Sequence, residues 1–265
     1  MNMLLKDGKR KVLTFSYDDG TVYDKKFLKI MSEYGLKGTI NINGGLFEDG
    51  RRMSLKDAKE LYSGCGQEIA IHGYRHLFMN TLDRSRLLYE IAEDKKSIEK
   101  HFGGIARGMA FPYGTWNNDE LKIMKLCGIE YGRTTRATYN FCFPENWLTL
   151  HPTCHHTDES FLELADKFIN DDTPQAKMFY FWGHSYEFND NDNWNLIERF
   201  AENTAGKRDI WYATNIQIFD YVKAYKSLIQ SYDGNVVYNP SAVTVWIENN
   251  GNVTEINPGE MIEII

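Results

Sequence analysis

The chain has 265 residues, 42% of them hydrophobic and 25% charged, a balance that permits a large buried core and excludes a disordered chain. Its formal net charge is −7 and it carries no block of Lys or Arg, which excludes a nucleic-acid partner as an expectation. No apolar run approaches the ~20 residues of a membrane span. Met3-Leu4-Leu5 before Lys6 is too short for a signal peptide, so a cytoplasmic protein with no membrane partner is expected.

Strands and helices alternate along the chain. Lys11–Tyr17 reads as a strand, and the pattern that follows predicts a helix over Tyr23–Tyr34, with Phe27, Leu28, Met31 and Tyr34 on one face. Thr39–Asn43 is the next expected strand. Ser54 is placed as the N-cap of a helix running to about Tyr62. Glu68–Ile71 reads as a strand leading into His72. A long helix is predicted over Arg84–Phe102, with Leu87, Leu88, Ile91 and Ile98 at helical spacing and Gly103-Gly104 ending it. Gly108–Phe111 (strand), Asn118–Leu126 (helix) and Ile129–Tyr131 (strand) come next. Residues 134–157 show no period. Ser160–Ile169, Asn195–Ala205 and Gln217–Leu228 read as helices, and Met178–Trp182 and Ile210–Ala213 as strands. From Val236 onward the chain reads as three or four short strands joined by Asn-Gly, Asn-Pro and Pro-Gly turns. Cys65, Cys127, Cys142 and Cys154 show no CxxC spacing and are expected as reduced, mostly buried thiols.

Repeated βα units imply a parallel sheet or a (β/α) barrel, whose chemistry gathers at the carboxyl ends of the strands. Four motifs fall there. Asp18-Asp19-Gly20 ends the first long strand; adjacent carboxylates repel unless a cation lies between them or one keeps a proton. In isolation the triplet reads better as an ordinary turn or helix cap. His72-Gly73-Tyr74-Arg75-His76 can aim two imidazoles at one cation, although a bare HxxxH is more often two unrelated surface histidines; two His with one carboxylate form a recurring catalytic metal set with open positions. Phe111-Pro112-Tyr113-Gly114 is a rigid turn that can present a backbone N–H to an oxyanion, or be a plain β-turn. His184 ends an apolar strand in Phe181-Trp182-Gly183-His184-Ser185-Tyr186-Glu187, a place for a structural histidine or a general acid.

In this order, DDG, HxxxH, PYG and a strand-end His, the chain resembles the polysaccharide deacetylase family (NodB-homology domain, carbohydrate esterase family 4) over roughly residues 10–225, as a divergent member. The resemblance implies a distorted (β/α)7 barrel over residues 1–227, with residues 228–265 as a small β extension packed on it. It implies a hydrolase of carbon–nitrogen bonds that removes N-acetyl groups from an amino sugar or polysaccharide by metal-activated water. Asp18 then matches the catalytic base and His184 the general acid. Asp19, His72 and His76 match the ligands of one divalent metal, zinc first, with Co, Mn or Ni as alternatives. Tyr113 matches the oxyanion-binding residue. Trp182 and Tyr186, flanking His184, are the first choices for contact with a sugar ring, ahead of Trp116 and Trp147, with core packing as the other use of these rings. A C–N hydrolase of a small non-sugar amide and a catalytically silent carbohydrate-binding protein are the alternatives.

Two positions depart from the family pattern. An Arg usually stands two residues before the Pro-Tyr-Gly and pairs with the base; here that residue is Ala110, so the pKa of Asp18 is expected to rise by ~1–3 units unless Arg75, Arg133 or Arg136 takes the place. The acidic group that orients the acid His has no match in residues 129–150, although Glu187 is near His184 in sequence. His151, His155 and His156 crowd one loop, with a spacing that fits no standard zinc pattern and suits a groove wall or plain loop chemistry.

Overall fold

A computed structural model describes residues 1–264. In chain order the elements are β1 (Asn2–Leu4), β2 (Lys11–Asp18), α1 (Asp24–Glu33), β3 (Thr39–Ile42), α2 (Leu55–Tyr62), β4 (Glu68–Ile71), α3 (Arg84–Phe102), β5 (Gly108–Ala110), α4 (Asn118–Leu126) and β6 (Tyr131–Arg133). Then come β7 (Cys154–His155), α5 (Phe161–Ile169), β8 (Lys177–Gly183), α6 (Ser185–Asp190), α7 (Trp194–Thr204), β9 (Ile210–Tyr212) and α8 (Asn215–Lys226). The chain closes with β10 (Ile229–Gln230), β11 (Val236–Tyr238), β12 (Val245–Asn249), β13 (Asn252–Ile256) and β14 (Met261–Glu263).

The main sheet is wholly parallel and curled, in the order β6-β5-β4-β3-β2-β8-β7, with β9 beside the first half of β2. Every residue of β2 is buried, as expected for a strand covered on both faces. The period-2 alternation of side chains divides the labour. Leu13, Phe15, Tyr17, Ile40, Ile42, Ile71, Met109, Phe179 and Phe181 join the apolar core that includes Phe27, Leu87, Phe161, Phe200 and other residues of the surrounding helices. The intervening residues are more polar and bond to one another inside the barrel. Thr14 donates to Asn215, and Asn215 to the Tyr180 hydroxyl. Thr39 and Tyr131 both donate to Glu68. Asn41 donates to Ser16 and to Asp18. Asp18 therefore belongs to a polar barrel interior rather than to a surface turn.

The C-terminal strands form two small antiparallel sheets, β10-β11-β14 and β1-β12-β13. The second takes in the first strand of the chain, with Met3 opposite Ile247. Val237, Val245, Ile247, Ile256 and Ile264 pack together with Ala224 of α8, and the Tyr221 hydroxyl donates to Leu4 O while accepting from Trp246 N–H. The sequence reading has no β1, because its partner lies more than two hundred residues away in the chain.

Two other expectations need correction. The strand read at Ile129–Tyr131 lies at Tyr131–Arg133, so Arg133 is a buried strand residue. Of the four cysteines only Cys154 is buried; Cys65 and Cys127 are half-buried and Cys142 is exposed, all as free thiols. Among the described residues no helix is long and apolar enough to cross a membrane.

Candidate active site

Asp18 sits at the end of β2 with 2% of its surface exposed. Its Oδ1 accepts a 2.8 Å bond from Asn41, and its Oδ2 pairs with the Arg133 guanidinium. Arg133 is fully buried, on β6, directly opposite Ala110 of β5 in the parallel register. The cation missing at Ala110 is thus supplied one strand over. Of the other candidates, Arg75 pairs with Glu90 and Arg136 is exposed. Arg133 takes the place of the absent arginine, so the pKa of Asp18 does not rise. Burial pushes it up, but Arg133, followed by His72 and His184, outweighs burial and holds it at about 2. Asp18 is an anion across the physiological range.

His72 Nε2 lies 3.6 Å from Asp18 Oδ2, and His184 Nε2 lies 4.0 Å from the same oxygen. His76 Nε2 lies 3.8 Å from Asp19 Oδ1. One donor atom each from Asp19, His72 and His76 falls within 4.8 Å of the others. The chemistry of this set suits a divalent cation. His72 Nδ1 is 2.8 Å from Ala110 O, which makes Nδ1 the protonated nitrogen and leaves the Nε2 lone pair facing the site. Burial lowers the pKa of His72, and burial with the neighbouring His72 lowers that of His76 to about 4, so both imidazoles offer lone pairs at neutral pH. Arg52 donates to Asp19 Oδ1 at 2.9 Å and to Asn43 Oδ1, fixing the carboxylate's orientation.

The loop carrying the two histidines is tied down by residues the sequence reading missed. Asp94 accepts from the backbone N–H of Gly44 (2.6 Å) and of His72 (2.9 Å). Glu90 accepts from Arg75 N–H at 2.8 Å and from its guanidinium. Asn43 donates to His72 O and Gly73 O. A signal was present: Glu90 and Asp94 fall on the stripe of α3 that also buries Leu87, Ile91 and Ile98, and acids on a core face require buried partners.

Tyr113 occupies the turn Pro112–Gly114 in a left-handed conformation (φ 59°). Its half-exposed ring stacks on Phe78 at 3.7 Å and stands 4.6 Å from the His76 ring. Trp182 carries the Arg133 guanidinium 4.4 Å over its ring and meets His155 edge-on at 4.4 Å. One face of Trp182 is therefore taken up in buttressing Arg133. Tyr186 lies 5.0 Å from the His184 ring with Arg51 over it at 5.2 Å, and burial together with the Asp19 and Glu187 charges pushes its hydroxyl up to about 12.

His184 precedes α6. Burial disfavours its charged form, yet the Glu187 carboxylate and Asp18 outweigh burial and raise its pKa above the usual value. Glu187 Oε2 is 3.2 Å from His184 Nδ1, 3.3 Å from His155 Nε2 and 3.5 Å from His156 Nε2. His151 stands apart, bonded to Thr134. Gly183 is required by this packing, since a Cβ there would meet His156 Nδ1 at 1.9 Å. Gly183→Ala is expected to destabilise the fold by about 1–3 kcal/mol; an unchanged urea midpoint would show that His156 yields freely.

The sequence profile of a family described as polysaccharide deacetylase matches residues 5–132. That span includes Asp18, Asp19, His72, His76 and Tyr113, and ends one residue before Arg133. The Bacillus subtilis (strain 168) protein YxkH, whose name places it among polysaccharide deacetylases, is 28% identical over 136 residues, 50% of this chain and 48% of its own length. A poly-beta-1,6-N-acetyl-D-glucosamine N-deacetylase of Staphylococcus aureus (strain MRSA252) is 26% identical over 138 residues, 47% of each chain. The chain thus spans about half the length of the curated relatives it matches. In three dimensions, a Mycobacterium smegmatis crystal structure named for the same activity aligns with a TM-score of 0.63 at 17% identity, over 85% of this chain and 96% of that one. At that identity the likeness speaks for the fold.

Proposed function

We propose that this chain hydrolyses the N-acetyl amide of an amino sugar, within a carbohydrate substrate, where Asp18 meets His184, a reading supported by the polysaccharide deacetylase match over residues 5–132. The observation that carries the reading is the position of Asp18 Oδ2, 3.6 Å from His72 Nε2 of the candidate metal set and 4.0 Å from His184 Nε2. A base, a cation site and an acid then flank one reacting carbon.

Asp19, His72 and His76 would hold one divalent ion, and two imidazoles with one carboxylate favour zinc. Such an ion supplies Lewis-acid polarisation of the amide carbonyl and lowers the pKa of water from 15.7 to about 7. Asp18, ionised and held by Arg133 and Asn41, takes the proton of the attacking water as its oxygen bonds to the carbonyl carbon. The backbone N–H of Tyr113 is the proposed donor to the developing oxyanion. His184, kept protonated beside two carboxylates, gives its Nε2 proton to the nitrogen as the C–N bond breaks, so the amine leaves neutral.

The direct test is acetate release from N-acetylglucosamine oligomers and acetylated peptidoglycan fragments, with ammonia release from cyclic amides run alongside. Acetate is expected from a sugar substrate, and Asp18→Asn is expected to lower turnover by about 10²–10⁴-fold at unchanged metal content. Ammonia from a cyclic amide with no acetate from any sugar would replace the reading by the small-amide one. Undiminished turnover in Asp18→Asn would remove Asp18 as the base.

A further inference from the structure

We propose that Phe78, stacked on Tyr113 at the rim of the site, is the platform for a second sugar ring, so that the protein acts on a chain of amino sugars rather than on a single residue or a small amide. This rests on the reading of the site as an amino-sugar deacetylase. Phe78 follows His76 by two residues, and Tyr113 is the residue whose backbone N–H is assigned to the oxyanion. Their rings lie 3.7 Å apart and 8° from parallel. The Tyr113 ring stands 4.6 Å from that of His76, so the stack adjoins the candidate metal set.

Exposure separates this pair from the packing aromatics. Phe78 is 50% exposed and Tyr113 51%. Two large rings left half in water beside a reaction site form an apolar surface suited to a ligand with an apolar face of its own. A pyranose has such a face, made of C–H bonds and edged by hydroxyls. Polar groups stand next to the rings to match those hydroxyls: Asn80 is exposed and Thr115 half-buried.

The other rings expected to meet a sugar are engaged elsewhere. Trp182 carries the Arg133 guanidinium over its face at 4.4 Å. Tyr186 already has the His184 ring at 5.0 Å and the Arg51 guanidinium at 5.2 Å. Trp147 meets Phe219 edge-on at 5.3 Å. Trp116, 39% exposed, is on the Tyr113 loop and leans on Phe111.

The platform is also held in place before any ligand arrives. Thr81 donates to Phe78 O through its backbone N–H at 3.1 Å and its hydroxyl at 2.7 Å. Thr115 donates to Asn80 Oδ1 at 3.2 Å, and Asn117 to Asn80 O at 3.0 Å. The loops that follow β4 and β5 are thereby tied to each other, and little ordering entropy is lost when a ring docks on them.

Calorimetric titration in the Asp18→Asn background, as purified, measures binding apart from turnover, with N-acetylglucosamine and its tetramer as probes. The tetramer should bind at least about 3-fold more tightly than the monosaccharide, and adding Phe78→Ala should weaken tetramer binding by about 3–10-fold, the range of one aromatic stacking contact. Phe78→Tyr keeps a flat face and should stay within about 2-fold of Phe78, whereas Phe78→Leu, apolar but not flat, should resemble Phe78→Ala. In turnover with Asp18 intact, Phe78→Ala should raise KM for the tetramer by about the same 3–10-fold with kcat little changed. Equal tetramer affinity with and without the Phe78 ring, or a tetramer bound no better than the monosaccharide, overturns the proposal. So does Phe78-dependent binding to phosphatidylglycerol vesicles, or a dimer lost in Phe78→Ala, since either gives the rings another occupant. Tetramer binding through Phe78 without acetate release would sink the deacetylase reading and leave the platform. Acetate release with no dependence on Phe78 would do the reverse.

Discussion

Arg133→Met should lower folding stability by about 3–5 kcal/mol and remove most activity, the largest combined effect expected of any single substitution in this molecule. Arg133 is fully buried and its carboxylate partner is 2% exposed, so the substitution leaves a desolvated anion supported only by Asn41 and the nearby imidazoles. Breaking a buried pair from one side is far more damaging than replacing both members. Asp18→Asn/Arg133→Met is therefore expected to recover much of the lost stability while staying inactive. Urea denaturation of chelator-treated protein measures this. Equal stabilities for the single and double variants would show that the pair is not coupled.

The same pair sets a pH dependence. The folded Asp18 pKa, about 2, lies below its ordinary value of 3.8. A depressed carboxylate binds fewer protons folded than unfolded, so its contribution to stability is fully present above about pH 4 and fades as pH falls toward 2. Arg133→Met should flatten that limb of the stability curve. Arg133→Lys keeps the charge but loses the flat guanidinium face over Trp182, and should fall between wild type and the methionine variant.

His76→Ala is the second large effect. Purified wild-type protein should hold about one divalent ion per chain; the variant should hold none and lose roughly 10³-fold or more in kcat/KM, equivalent to about 4 kcal/mol of transition-state stabilisation. His76 is less buried than His72, so its loss perturbs the core less and separates metal binding from folding. Thermal unfolding supplies a readout independent of turnover. Zinc at 100 times its Kd should stabilise the wild type by about 2.7 kcal/mol and leave His76→Ala unmoved. Wild-type protein free of metal under all loading conditions, or equal zinc stabilisation of both proteins, would end the claim that Asp19, His72 and His76 form a metal site.

Much of the framework was legible in the sequence wherever local chemistry decided it. The bounds expected for α3, Arg84–Phe102, are the observed ones. Asp83 caps the start through the Arg86 N–H, Gly103 supplies the left-handed exit, and a continuous apolar stripe joins them. Strands β2, β4 and β8 were marked by buried β-branched and aromatic runs. By contrast, β6 lies two residues beyond the expected Ile129–Tyr131, with Gly132 inside the strand. In the barrel it is a close-approach residue, where a Cβ would meet Leu148 O at 2.7 Å. That shift left Arg133 as one of three candidate partners of Asp18 rather than the one buried on a strand. Helix α6 was missed because Ser185–Asp190 is six residues long and mostly polar, and with it went the geometry of Glu187.

By itself the sequence determined which chemical groups are available and that they end strands of one parallel sheet, since residue type and period-2 patterning are local properties. The tertiary structure decided which group serves which. Asp18 and Arg133 are 115 residues apart and meet only because β6 and β2 face one barrel interior with Arg133 in register with Ala110. His155, His156 and Glu187 converge because β7 lies against β8. The direction of a pKa depends on burial and on neighbours a few ångströms away, and those are consequences of strand order and register that no single segment contains.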